Sequence, residues 1–108
     1  MAGAGDDAER IRARRRACSH LERLGAISPY AARVIDFAIT WAPFGGASRA
    51  DLLETFGVTP ARFLQLLHES LDPHGAADDV GTLKRQLTDS LLRAWTGVNR
   101  TRIPVRHV

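Results

Sequence analysis

Cysteine, lysine and long apolar runs are what this sequence is short of, and the scarcities narrow the classes of protein it fits. Cys18 is the only cysteine, which excludes an internal disulfide and suits a reducing cytosol. No apolar stretch approaches the roughly 18 residues that a membrane-spanning helix needs. The opening MAGAGDDAERIRARRR passes from acidic to basic with no apolar centre, so it does not read as a secretory signal. Lys84 stands alone against fourteen arginines. Together with abundant alanine and glycine, that skew is what a GC-rich genome tends to encode. It points to a bacterial source and carries no information on mechanism. Also missing are a nucleophile elbow, a phosphate-binding glycine motif and paired catalytic carboxylates, so no enzymatic step and no cofactor is expected.

What is present is an ordinary globular composition. Of 108 residues, 44% are hydrophobic and 25% are charged, which suits one domain with a modest core of packed helices. The formal charge is +3, but its distribution says more than its total. Residues 8–24 carry six arginines against Glu9 and Glu22, a surplus of four. Residues 48–71 carry Arg49 and Arg62 against Asp51, Glu54 and Glu69, a deficit of one. Residues 84–108 carry Lys84 and five arginines against Asp89, a surplus of five. Both ends are basic and the middle is not. The organisation expected is a basic N-terminal helix or arm over 1–25, a helix-turn-helix helical domain over 26–97, and a basic C-terminal tail over 98–108.

No internal repeat appears and strand-like alternation is nearly absent, so an all-α fold of about five helices is predicted. The first helix is placed from about Asp6 to Leu24. Asp6, Asp7 and Glu9 suit the positive end of its dipole, and Gly25 offers a stop. Its apolar stripe of Ile11, Cys18, Leu21 and Leu24 is thin, as in a helix laid on a surface. The second helix opens with Ser28-Pro29, a capping serine before a proline at the first helical position. Ala31, Val34, Ile35, Ala38, Ile39 and Ala42, widened by Phe37 and Trp41, make it apolar on most sides and therefore central; Pro43 ends it. After the loop Phe44–Ala47, Ser48 caps a short third helix to Phe56. Thr59-Pro60 repeats the cap-and-proline signal and opens a fourth helix to about Leu71. Past the loop Asp72–Gly75, the last helix runs from about Asp78 to Thr96 with Val80, Leu83, Leu87, Leu91 and Trp95 inward. Gly97 is expected to stop it, leaving VNRTRIPVRHV as a mobile tail.

The stretch LLETFGVTPARFLQLL, residues 52–67, sets one glycine between two helical runs. Helices that meet steeply need a connection of about three or four residues, one of them left-handed, and glycine takes that conformation without a Cβ penalty. Leu52, Leu53, Phe56, Val58, Phe63, Leu67 and Leu71 are expected inward, with Thr59, Ala61, Arg62, Gln65 and Glu69 outward. Arg62, Gln65 and Glu69 share one face at i, i+3 and i+7. A helix-turn-helix presents its recognition helix to the DNA major groove in this way. Arginine bonds guanine O6 and N7, and glutamine bonds adenine N6 and N7. The same geometry also serves as a plain αα-corner, and the segment's charge of −1 agrees with that alternative.

Three stretches together, Tyr30-Ala-Ala-Arg-Val-Ile-Asp-Phe-Ala-Ile-Thr-Trp41, Gly45-Gly-Ala47 and Glu54 to Asp72, resemble an actinobacterial family of small uncharacterised proteins. In that family an acidic-aromatic helix ending in tryptophan precedes a sequence like Phe-Gly-x-Ser/Thr-x-x-Arg-Tyr-Tyr-Gln-Leu-Leu-Asn. The resemblance spans about Ile27 to Trp95 and implies a helix-turn-helix similar to the DNA-binding end of sigma factors. Arg62, Phe63 and Gln65 match its arginine, aromatic and glutamine; Leu64 replaces the second aromatic and His68 the asparagine. It carries no established activity.

Other constellations carry less. Cys18-x-His20 lacks a second ligand pair at zinc spacing, so no metal is expected. Asp78 and Asp79 read as capping residues, His68 as a solvent-edge residue, and Phe37, Trp41 and Trp95 as packing residues. The run Arg10 to Arg16 is either a phosphate-binding helix or a solvated helix that packs on a partner. The function expected is DNA binding in transcriptional regulation, in the cytoplasm at the nucleoid. Thr59, Ala61, Arg62 and Gln65 would enter the major groove, and Arg49, Arg12, Arg16 or the tail arginines would neutralise phosphates. A homodimer on spaced half-sites fits this class. The alternative is an interaction module that binds RNA polymerase, a sigma factor or another regulator.

Overall fold

The computed structural model describes the backbone of residues 2–107 and the side chains of residues 8–95. Its elements are α1 (Ala2–Arg23), α2 (Pro29–Trp41), α3 (Arg49–Phe56), α4 (Pro60–Ser70) and α5 (Asp78–His107), with a 3-10 turn at Ala42–Phe44 and no strand among the described residues. The fold is all-α.

Helices α2, α3 and α4 begin with the same device. Ser28, Ser48 and Thr59 have extended backbones with ψ of 164°, 163° and 164°. Their hydroxyl oxygens accept from the amides of Ala31 at 3.0 Å, Asp51 at 3.1 Å and Arg62 at 3.1 Å. Each hydroxyl satisfies an amide that the first turn of a helix leaves without a partner. Gly57 closes α3 at φ +69°, and its N–H donates to the carbonyls of Leu52 and Leu53 at 3.1 and 2.9 Å. The turn between α3 and α4 is thus built from a left-handed glycine and a capping threonine.

Helix α2 lies at the centre, with Val34, Ile35, Ala38 and Ile39 wholly buried. Helix α1 meets it where the Cys18 thiol faces the Ala32 carbonyl at 4.0 Å and where Arg15 pairs with Asp36 and donates to Thr40 at 3.0 Å. Helix α4 meets it through Phe63, whose ring lies 5.5 Å from that of Phe37. Helix α5 closes the remaining side. Trp95 stacks on Phe63 at 4.9 Å between centroids, and its Nε1–H donates to the Ala38 carbonyl at 3.0 Å. That carbonyl needs the indole because the Ala42 N–H donates to Ile39 O instead, next to Pro43, which has no N–H to give. Behind α4, the ammonium of buried Lys84 donates to the Asp72 carbonyl at 3.1 Å and ties α5 to the loop before it. Among the described residues no buried side-chain nitrogen or oxygen lacks a partner.

Several details differ from the expectation, the first being that α1 begins at Ala2 rather than about Asp6, so its first turn carries no acidic residue. Helix α5 does not stop at Gly97, and residues 98–107 continue the helix to His107 rather than forming a tail. Glycine inside a helix costs only about 1 kcal/mol and does not itself impose a left-handed stop. Leu53 is 63% exposed: in the two-turn helix α3 the core side is taken by Leu52 and Phe56, and Leu53 is turned away. Leu24 lies past the end of α1 and is exposed as well. Val58, by contrast, packs against the core from the turn as expected.

Gly46 and Gly57 separate two uses of glycine. At Gly57 an added Cβ meets nothing, so Gly57→Ala should cost only the left-handed backbone strain, about 1–2 kcal/mol. At Gly46, with φ +121°, an added Cβ would sit 2.9 Å from the Trp95 ring. Gly46→Ala should therefore lower the urea midpoint more than Gly57→Ala and shift tryptophan emission. Equal losses with unchanged emission would contradict the Gly46–Trp95 contact.

Candidate nucleic-acid interface

The α3–turn–α4 corner presents a polar ridge because the inner side of α4 is apolar at every turn. Phe63, Leu67 and Leu71 are buried, while Thr59, Ala61, Arg62, Gln65 and Glu69 are exposed. The four residues expected to enter a groove thus share one outward side of one helix. Within that ridge Arg62 is already engaged: its Nη1 donates to Gln65 Oε1 at 3.2 Å and to Glu69 Oε2 at 3.3 Å. The pairing follows from the i, i+3, i+7 spacing. It makes the ridge close to neutral, so Arg62 would have to leave or share Glu69 to bond a base.

Arg49 lies near this corner. It shares an open groove of about 500 Å³ with Trp41, Phe44, Ser48, Pro60 and Trp95, where the first turns of α3 and α4 come together. Its neighbour Asp51 accepts from the Ser48 hydroxyl at 2.8 Å. Arg12 and Arg16 are placed elsewhere. Both are exposed on α1, whose main packing partners are α2 and α5, whereas α4 packs on α2, α3 and α5. Arg12 pairs with Glu9 at 3.5 Å. The side chains of Arg100, Arg102 and Arg106, and of Asp6 and Asp7, lie outside the described residues.

The arginines that do come together were not singled out as a group by the sequence. Arg10 and Arg14 of α1 line one depression with Ser90 and Arg93 of α5. Arg14 donates from Nε and Nη2 to Ser90 Oγ at 3.0 and 2.7 Å. The i, i+4 spacing of Arg10 and Arg14 was the available signal; that Arg93 would face them depends on how α5 packs.

Cys18 and His20 do not form a ligand pair. The thiol is buried against the Ala32 carbonyl and His20 is exposed. Among the described residues no three His, Cys, Asp or Glu side chains are placed to hold a metal ion, and no helix is long and apolar enough to cross a membrane. Burial first, then the nearby carboxylates of Asp36 and Glu22, push the Cys18 thiol up to about 11 from its ordinary 9.0. Scans of family models, of curated proteins and of solved structures match nothing to this chain.

Two outcomes follow. The folded state keeps the Cys18 proton at pH values where the unfolded chain has lost it, so stability should fall as pH rises from about 9 through about 11. Cys18→Ala should remove that part of the decline in urea titrations across the window; an unchanged decline would place its origin elsewhere. For the ridge, an exposed pair of this kind contributes roughly 0.5 kcal/mol or less. A double-mutant cycle on Arg62 and Glu69 should give a coupling of that size, shrinking in high salt. A coupling above about 2 kcal/mol would make the pair a structural brace rather than a surface one.

Proposed function

We propose that this chain is a DNA-binding helix-turn-helix protein, a transcriptional regulator that inserts the helix from Thr59 to Leu71 into the major groove. We further propose that it is kin to the actinobacterial sigma-factor-like family its sequence resembles. The observation that carries the reading is the outward ridge of Thr59, Ala61, Arg62 and Gln65, held by an apolar inner side and introduced by the Gly57 turn. Arg62 supplies the guanine-reading group and Gln65 the adenine-reading one. The Ala61 amide, left without a partner among the described residues in the first turn of α4, supplies a phosphate contact at the positive end of the helix, assisted by Arg49 from the start of α3. Arg12 and Arg16, on α1, add phosphate contacts only where DNA reaches round the domain. A homodimer would set two such ridges on half-sites one helical turn of DNA apart.

A second reading is favoured by a different observation. The ridge is nearly neutral, and Leu53 stands exposed on α3 one turn before Phe56, whose ring meets the half-exposed Tyr30 edge-on at 6.4 Å. An apolar and aromatic strip of this kind suits contact with protein, such as RNA polymerase or a sigma factor, more than contact with phosphate.

A salt titration of binding to random duplex DNA separates the two. DNA binding should weaken steeply with salt, and absence of binding at low salt would remove the first reading. With a selected site in hand, Arg62→Ala should cost roughly 1–3 kcal/mol at one base position and relax preference there. Preference left intact in Arg62→Ala would exclude α4 as the reading helix.

A further inference from the structure

A gathering of positive charge lies away from α4. Arg10 and Arg14 from α1 and Arg93 from α5 line one open depression of about 440 Å³ with Ser90 and Ala94, and no carboxylate lines it among the described residues. Arg10 and Arg93 are exposed, and no ion pair engages either of them among the described residues. Guanidiniums repel one another, and four other cations here sit beside acceptors of their own. Arg15 has Asp36, Arg12 has Glu9, Arg62 has Glu69, and Lys84 has a backbone carbonyl. Arg14 is aligned by the Ser90 hydroxyl, which accepts from both Nε and Nη2 and so fixes the plane of the fork. Three arginines from two helices line this one depression, and arginine holds an oxyanion through charge-assisted N–H donors.

The depression is distinct from the α4 ridge. Trp95 points into the core onto Phe63 of α4. Arg93, two positions earlier, is turned by about 200° around α5, towards α1.

We propose that the α1–α5 depression binds a phosphate group through Arg10, Arg14 and Arg93. This site goes beyond the α4 ridge and does not depend on it. Phosphate chemistry reaches it from either of two sources, a small free phosphate or the backbone of a nucleic acid.

The test follows the arginine Nε–H signals of the full chain, labelled with ¹⁵N, through two titrations at low salt: one with inorganic phosphate and one with a short duplex DNA of random sequence. The signals of Arg10, Arg14 and Arg93 should move together and saturate in at least one titration. Arg10→Gln/Arg93→Gln should weaken that binding by about tenfold or more, as expected on removing two charge-assisted contacts, and Arg85→Gln, at an exposed arginine of α5 that does not line the depression, should leave it unchanged. Both substituted residues are exposed, and circular dichroism checks that the helices persist. Saturation by phosphate alone assigns a small anion, and saturation by the duplex alone assigns a nucleic-acid backbone. Absence of saturation in both titrations, or equal affinity in the double variant, overturns the site. A duplex that moves the α4 signals while neither titration moves these three arginines overturns this site and leaves the major-groove reading standing. Phosphate saturation with α4 silent to DNA has the reverse meaning.

Discussion

The joint at Trp95 is the constraint on which the arrangement of helices rests. Its indole N–H satisfies the Ala38 carbonyl at the end of α2, its face stacks on Phe63 of α4, and its edge fills the space beside Gly46. One side chain of α5 therefore joins the end of α2, the following loop and α4. A buried carbonyl left without its donor costs on the order of 1–3 kcal/mol, so the hydrogen bond favours one seating of the ring over others that would bury similar area. The aromatic rings of Phe37, Phe56 and Phe63 extend the same cluster to α3, with centroids 5.1–5.5 Å apart. The corner between α3 and α4 is thus held from beneath, and its outer ridge is left to solvent.

Charge is distributed against simple expectation. The corner between α3 and α4 carries a net charge of −1, and Arg62, the outward arginine of α4, is partnered by its own helix. The two basic ends of the sequence meet each other across α1 and α5, where Arg10, Arg14 and Arg93 share a depression. Shape and charge are therefore separated on this protein. A ligand that required both at one place would find the shape at α4 and the charge on the α1 side of α5.

Much of the fold was legible because its signals are local. A Ser or Thr before the first helical turn, with proline beside Ser28 and Thr59, marks a cap wherever the rest of the chain goes, and all three caps are made. The spacing of Phe63, Leu67 and Leu71 likewise made the inward and outward sides of α4 readable, along with the candidate residues on it. Glycines were legible only in part. Gly25 and Gly57 are left-handed ends, whereas Gly97 lies within a helix, and the residue type alone does not distinguish these roles. Leu53 shows the limit of pattern in an eight-residue helix, where two adjacent leucines cannot both face the core. The meeting of Arg14 with Ser90 joins positions 76 apart, and no local periodicity encodes such a contact.

Lys84, the chain's one lysine, is folded inward with its ammonium committed to the Asp72 carbonyl. Reagents and enzymes that acylate side-chain amines would meet no exposed lysine on the folded domain. An acyl group at that nitrogen would convert the clasp between α5 and its preceding loop into a steric wedge. Covalent tuning of this protein's surface charge through lysine is thus coupled to its unfolding, while the arginine-borne charge stays out of reach of amine chemistry.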